Sequence, residues 1–123
     1  MNLKSLILPL CLMPALASAF NNEIDTLGAN QDEQVVISLM LCAKAAYDLG
    51  MLEERDTAAA KIMYHMEHVM APKGIGFSVP SQEKAQPAIE AFLHPTSMNG
   101  KAQSEAHLRS VIADPVCQAA FAK

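Results

Sequence analysis

Hydrophobic positions recur with a helical period along most of this chain, and no stretch alternates apolar and polar residues as a half-buried strand does. Glu33 to Leu49 contains no proline or glycine. Asp32 precedes it as the expected cap, and Gly50 follows where helices commonly end on a left-handed glycine. At about 100° per residue, Val36, Leu39, Met40, Ala43 and Tyr47 share one face. Val35, Cys42, Ala46 and Leu49 widen that face and leave a narrow polar strip at Glu33, Lys44 and Asp48. Such a helix is expected at the centre of the fold, with Cys42 inside its buried arc.

A second helix is predicted from about Glu53 to Met70, with Ala59, Ile62, Met63, Met66, Val69 and Met70 inward and Glu54, Thr57, Lys61, Tyr64, His65 and His68 outward. Ala71 to Pro80 holds two prolines and two glycines and is expected to break the helix, although it carries Ile75, Phe77 and Val79. A third helix is predicted from Ser81 to about His94, either kinked at Pro87 or beginning near Gln86, with Ile89, Phe92 and Leu93 along its apolar edge. After a turn tipped by Asn99-Gly100, a fourth runs from about Lys101 to Ala113 with Leu108, Val111 and Ile112 facing in. Asp114-Pro115 then caps a short last helix bearing Cys117 and Phe121 on one side. The predicted fold is all-α, a bundle of four to five helices.

The leading residues change what the rest is expected to be. Met1 to Ala19 has one cation (Lys4), an apolar run from Leu6 to Leu16 holding Pro9 and Pro14, and the small residues Ala17-Ser18-Ala19. That order predicts a cleaved secretory signal peptide over residues 1–19 and a single domain over residues 20–123. The run falls short of the about twenty residues a membrane span needs, so no anchor is expected. Leu10 is too bulky to precede a lipid-modified Cys11. The expected address is the periplasm or the medium.

Removing 19 of 123 residues leaves 104, enough for one small domain. Two cysteines then remain, Cys42 and Cys117, with one possible pairing and no C-x-x-C spacing; in an oxidising compartment a structural disulfide is expected. Without Lys4 the balance is 8 cations against 13 anions, which argues against nucleic acid as a partner.

Candidate chemistry is sparse. Met63-Tyr64-His65-Met66-Glu67-His68-Val69-Met70 has ligands suited to copper(I), but helical spacing puts the methionines and the histidines on opposite sides, so neither a metal nor a cofactor is expected. No G-x-S-x-G or H-E-x-x-H occurs and the cysteines are taken by the bridge, so no enzyme is expected. Within the 71–80 loop, Lys73, Gly74, Ile75, Gly76 and Phe77 form the candidate partner-binding segment, with a charge for orientation and a ring for area; the alternative is a lid folded over the core.

A cysteine on the first helix is followed by Ala43-Lys44-Ala45-Ala46-Tyr47, then by Arg55-Asp56-Thr57-Ala58-Ala59-Ala60 and Tyr64 on the second, and late in the chain by Val116-Cys117-Gln118-Ala119-Ala120-Phe121. In outline this resembles the small periplasmic immunity proteins that protect bacteria from type VI secretion amidase effectors. The resemblance covers about half of the mature chain and implies a secreted helical domain that occludes the active site of a toxin cutting peptidoglycan peptides. The 71–80 loop and the fourth helix lie outside it, so no contact residues carry over. Two rivals stand beside this expectation: a periplasmic acid-stress chaperone, whose acids would neutralise as pH falls, and a copper-binding envelope protein.

Overall fold

The computed structural model describes Ile24 and residues 27–123, so the predicted leader lies outside the described residues. Among the described residues five α-helices follow one another from Gln31 on: α1 (Gln31–Asp48), α2 (Leu52–Tyr64), α3 (Val79–Leu93), α4 (Lys101–Ile112) and α5 (Pro115–Phe121). No strand occurs among the described residues, and the all-α bundle is as predicted.

α1 is the central helix, packed against every other. Asn30, not the expected Asp32, caps it: the Asn30 side chain accepts from the Glu33 backbone N–H at 2.9 Å. Gly50 takes φ 77° just past its end, the left-handed conformation that glycine adopts without a Cβ clash. Ile37, Leu41, Cys42 and Ala45 are fully buried against Ala58, Ala85, Ile89, Leu93, Leu108, Val111, Ile112, Cys117 and Ala120. The inward face is therefore rotated from the predicted one. Val36 is buried, Leu39, Met40 and Ala43 are half-buried, and Tyr47 is 54% exposed, flanked by the Lys44 and Arg55 cations over its ring. A helix apolar almost all round gives the period nothing to select a face with.

α2 buries Ala58 completely, while Ala59 and Ile62 are half-buried and Met63, expected inside, is 58% exposed. Past Tyr64 the helix loosens into a π-helical turn, His65–Met70, then tightens into a 3-10 turn, Ala71–Lys73, that ends on Gly74 at φ 76°. Met63 lies within the regular α-helix, about 140° from Ala58 at 100° per residue, so with Ala58 turned fully inward Met63 is carried toward solvent. Met70 is carried fully into the core, with Met66 and Val69 half-buried.

α3 starts earlier than predicted. Ser78, not Ser81, is the cap, its hydroxyl accepting from the Ser81 N–H, and Val79 and Pro80 fill the first turn. Pro87 lies within the helix on an exposed side, so its missing donor leaves a carbonyl turned to solvent rather than to the core. Ala85, Ile89 and Leu93 face inward. Leu108, Val111 and Ile112 of α4 are buried as expected, and Asp114 caps α5 by accepting from the Val116 N–H at 3.0 Å. Cys117 bonds to Cys42, with Cα atoms 5.2 Å apart and both residues fully buried, tying the last helix to the first. No helix among the described residues is long and apolar enough to cross a membrane.

Candidate functional site

The densest polar cluster in the described residues is built on the first turn of α1. Asn30 fixes the turn, and Asp32 and Glu33 stand where negative charge suits the helix dipole. Glu33, expected on the solvated strip, is 1% exposed. One carboxylate oxygen accepts from the Ala29 N–H at 2.8 Å and from the Ser81 hydroxyl at 2.6 Å; the other accepts from the Ser78 N–H at 2.8 Å. One side chain thus joins the lead-in to α1, the end of the 71–80 loop and the start of α3. Burial pushes its carboxyl up, but the bonds from Ser81, Ala29 and Ser78 outweigh that and hold it below the usual glutamate value.

Gly28 makes the arrangement possible. A Cβ there would lie 2.8 Å from the Gln34 nitrogen and 2.9 Å from the Glu33 Cβ, so the lead-in can approach α1 only through a glycine.

Asp32 holds the other end of the loop. One oxygen lies 3.1 Å from His65 Nε2, and the other accepts from Lys73 Nζ at 2.8 Å. The Lys73 ammonium is the main reason the Asp32 carboxyl sits below its ordinary value.

Between these two ties lie the residues singled out in the sequence, and the fold divides them. Lys73 is exposed along its stem and fastened at its tip to Asp32. Gly74 and Gly76 are exposed, and Ile75 is half-buried with its N–H on the Met70 carbonyl at 3.2 Å. Phe77 is half-buried, packed against the core, and its carbonyl accepts from Gln82 at 2.8 Å. Lys73, Ile75 and Phe77 therefore do not gather into one projecting knob. The outward part is Lys73, the two glycines, and Val79 at 62% exposure.

A second cluster ties the far end of α1 to α3. Asp48 lies 2.6 Å from His94 Nε2 and accepts from Lys44 Nζ at 2.7 Å, while Lys44 also approaches Glu90 at 4.0 Å. Burial raises the Asp48 carboxyl, Lys44 and His94 lower it, and the net is downward. The Lys44–Asp48 spacing of four was visible in the sequence; His94, distant in the chain, was not.

His65 and His68 face different partners, His65 the Asp32 carboxylate and His68 the Tyr64 ring at 4.5 Å between centroids. Among the described residues no group of three or more His, Cys, Asp or Glu side chains is arranged to hold a metal. The Ser78 hydroxyl donates to Ser81 at 2.9 Å and Ser81 to Glu33, but that relay ends in a carboxylate sealed from solvent, which makes it a structural tie.

The outer side of α2 is the other notable surface. Leu52, Met63 and Tyr64 are each more than half exposed there. Tyr64 borders a shallow, open groove formed with Thr57, Ala60, Lys61, Ala122 and Lys123. Lys61 closes the end of α5 by donating to the Ala119 and Ala122 carbonyls, and Lys123 pairs with Glu53.

Comparison of the chain with protein-family models, with curated proteins and with solved structures finds no match.

Proposed function

We propose that this chain is an exported, non-enzymatic binding protein, and that it acts as an immunity protein inhibiting a peptidoglycan-cleaving amidase effector. The observation that supports the reading best is the state of the 71–80 loop. Ten residues rich in glycine and proline are held in one shape, at Lys73 by Asp32 and at Ser78 by Glu33, on a helix stapled to the far end of the chain by a disulfide. An inhibitor that blocks an active site gains affinity from a segment ordered before it binds, since less conformational freedom is lost on association. Lys73, Gly74 and Gly76 offer a cation and closely approachable backbone, and the partly buried Ile75 and Phe77 anchor them to the body of the domain.

The test is a titration of the protein encoded beside this one. On this reading the neighbour cleaves peptidoglycan peptides and loses that activity stoichiometrically as the chain is added. Replacing Lys73 with Ala weakens inhibition and leaves the helical content unchanged. A neighbour without cell-wall activity, or one that is unaffected, removes the proposal.

The ties among the carboxylates favour one second reading, a periplasmic acid chaperone. Asp32, Glu33 and Asp48 join separate segments and all lose their charge in acid. Suppression of client aggregation at low pH supports it; a domain that remains closed there and leaves clients unprotected excludes it.

A further inference from the structure

We propose that the first turn of α1 is an acid-released clasp: Asp32 and Glu33 together hold the segment from His65 to Ser81 on the body of the domain, and protonating them frees the 71–80 loop while the disulfide-joined helices stay assembled. The geometry isolates the two carboxylates from the rest of the packing. They are adjacent on a helix whose apolar side is committed to the core, and both reach out of that helix to segments 33 to 48 residues further on. Between Gly74 and Ser78 the loop has little else to hold it. Its own backbone bonds are Gly74 N–H to the Ala71 carbonyl and Ile75 N–H to the Met70 carbonyl; the exposed Gln82 amide donates to the Phe77 carbonyl, and Ile75 and Phe77 are half-buried.

The groups facing the clasp fix its direction. Glu33 meets the Ala29 and Ser78 N–H groups, the Ser81 hydroxyl and the Asn30 cap, all neutral. Asp32 meets His65 from the π turn and Lys73 from the 3-10 turn, both cationic or able to become so. Among the described residues no carboxylate other than Asp32 and Glu33 bonds to these partners. Charge on both acids is what these partners favour, and each carboxyl accordingly sits below its ordinary value. For a group lowered on folding, the stabilisation is full above its unfolded value and is lost as pH falls through the folded one. The clasp is therefore shut at neutral pH and opens as pH falls below the ordinary carboxylate range.

The consequence differs from general acid unfolding. The Cys42–Cys117 bond and the apolar core that Ile37, Leu41 and Ala45 of α1 share with Ala58 of α2 and Ala120 of α5 include neither Asp32 nor Glu33. Loss of the clasp turns an ordered loop into a mobile one. If the loop is the partner contact, as proposed above, the clasp sets the lowest pH at which the partner is held; the experiment below reads the loop itself and needs no partner.

Amide hydrogen exchange of the full chain, followed by mass spectrometry at pH 7 and pH 3 and corrected for intrinsic rates, tests the device. The Ser78 and Ile75 amides are expected to exchange at least about tenfold faster relative to their intrinsic rates at pH 3, while Ile37 to Ala46 in α1 keep their protection. Glu33→Gln, which places an amide N–H against a backbone N–H, is expected to show the open loop already at pH 7. Should that variant not fold, Asp32→Asn provides the same comparison from the Lys73 end. Phe77→Trp provides an emission shift in a chain that has no tryptophan of its own. Loop and α1 losing protection together, loop protection surviving to pH 3, or a wild-type pH response in the open-clasp variants would each overturn the proposal.

Discussion

Replacing both Cys42 and Cys117 with alanine removes the only covalent tie between α1 and α5, across a sequence separation of 75 residues. On the chain-entropy model a loop of that length contributes about 4.5 kcal/mol by restricting the unfolded ensemble. Both residues are fully buried, so the two lost sulfurs add a packing term of roughly 1 kcal/mol. The expected loss is about 5 kcal/mol, against a total of about 5–15 kcal/mol for a domain of this size. α5 feels it most. Its seven residues are fewer than the about twelve that a helix needs to persist alone, so only packing and the bridge keep it folded. Equilibrium urea unfolding followed by circular dichroism measures the effect. With a slope near 1.5 kcal/mol per molar, the midpoint should fall by about 3 M, and the slope should rise because the unbridged chain exposes more surface. A double variant within about 1 kcal/mol of the wild type, with the same slope, would refute the reasoning.

Gly28→Ala should destabilise by about 1–3 kcal/mol, since its Cβ meets backbone 2.8 Å away; urea titration that finds no change would show that the lead-in can shift. Leu41→Ala should cost about 3 kcal/mol and Met63→Ala less than about 0.5 kcal/mol, because the first is fully buried and the second 58% exposed; parallel thermal melts rank them. Stability should be level through neutral pH and fall from about pH 5 downwards, since Asp32, Glu33, Asp48 and Glu53 are all lowered on folding. Lys44 and Lys123 are raised, so their contribution is present below the ordinary lysine value and is lost only as pH climbs past about 10.5. Melting temperatures across this range that peak in acid would contradict the assignment.

Helix order, the central position of α1 and the Cys42–Cys117 bond were legible because period, breakers and a two-cysteine count each leave a local trace. The same holds for the inward residues of α4 and the Asp114 cap of α5, where Cys117 is buried with Ala120 and Phe121 is half-buried. The orientation of α1 was not legible. Ile37, Leu41 and Ala45 won the core over Leu39, Ala43 and Tyr47 through contacts with residues far along the chain. Met63 was misplaced because the small Ala58, not the larger Ile62–Met63 pair, sets the inward line of α2, a choice made by packing against α1 and α5. Glu33 shows the limit most clearly. A glutamate in a first helical turn predicts a solvated charge, and nothing local announces that Ala29, Ser78 and Ser81 close over it. The one available hint was the serine pair at 78 and 81 following a loop that must fold back.

On the proposed function the chain is delivered to a compartment where sulfurs are oxidised. Blocking free thiols in intact producing cells, then determining the mass of the isolated chain without reductant, tests this most directly. The expected product begins at Phe20, carries no blocking group, and yields the Cys42 and Cys117 peptides as one linked species. A chain still starting at Met1 with both of those thiols blocked would contradict it.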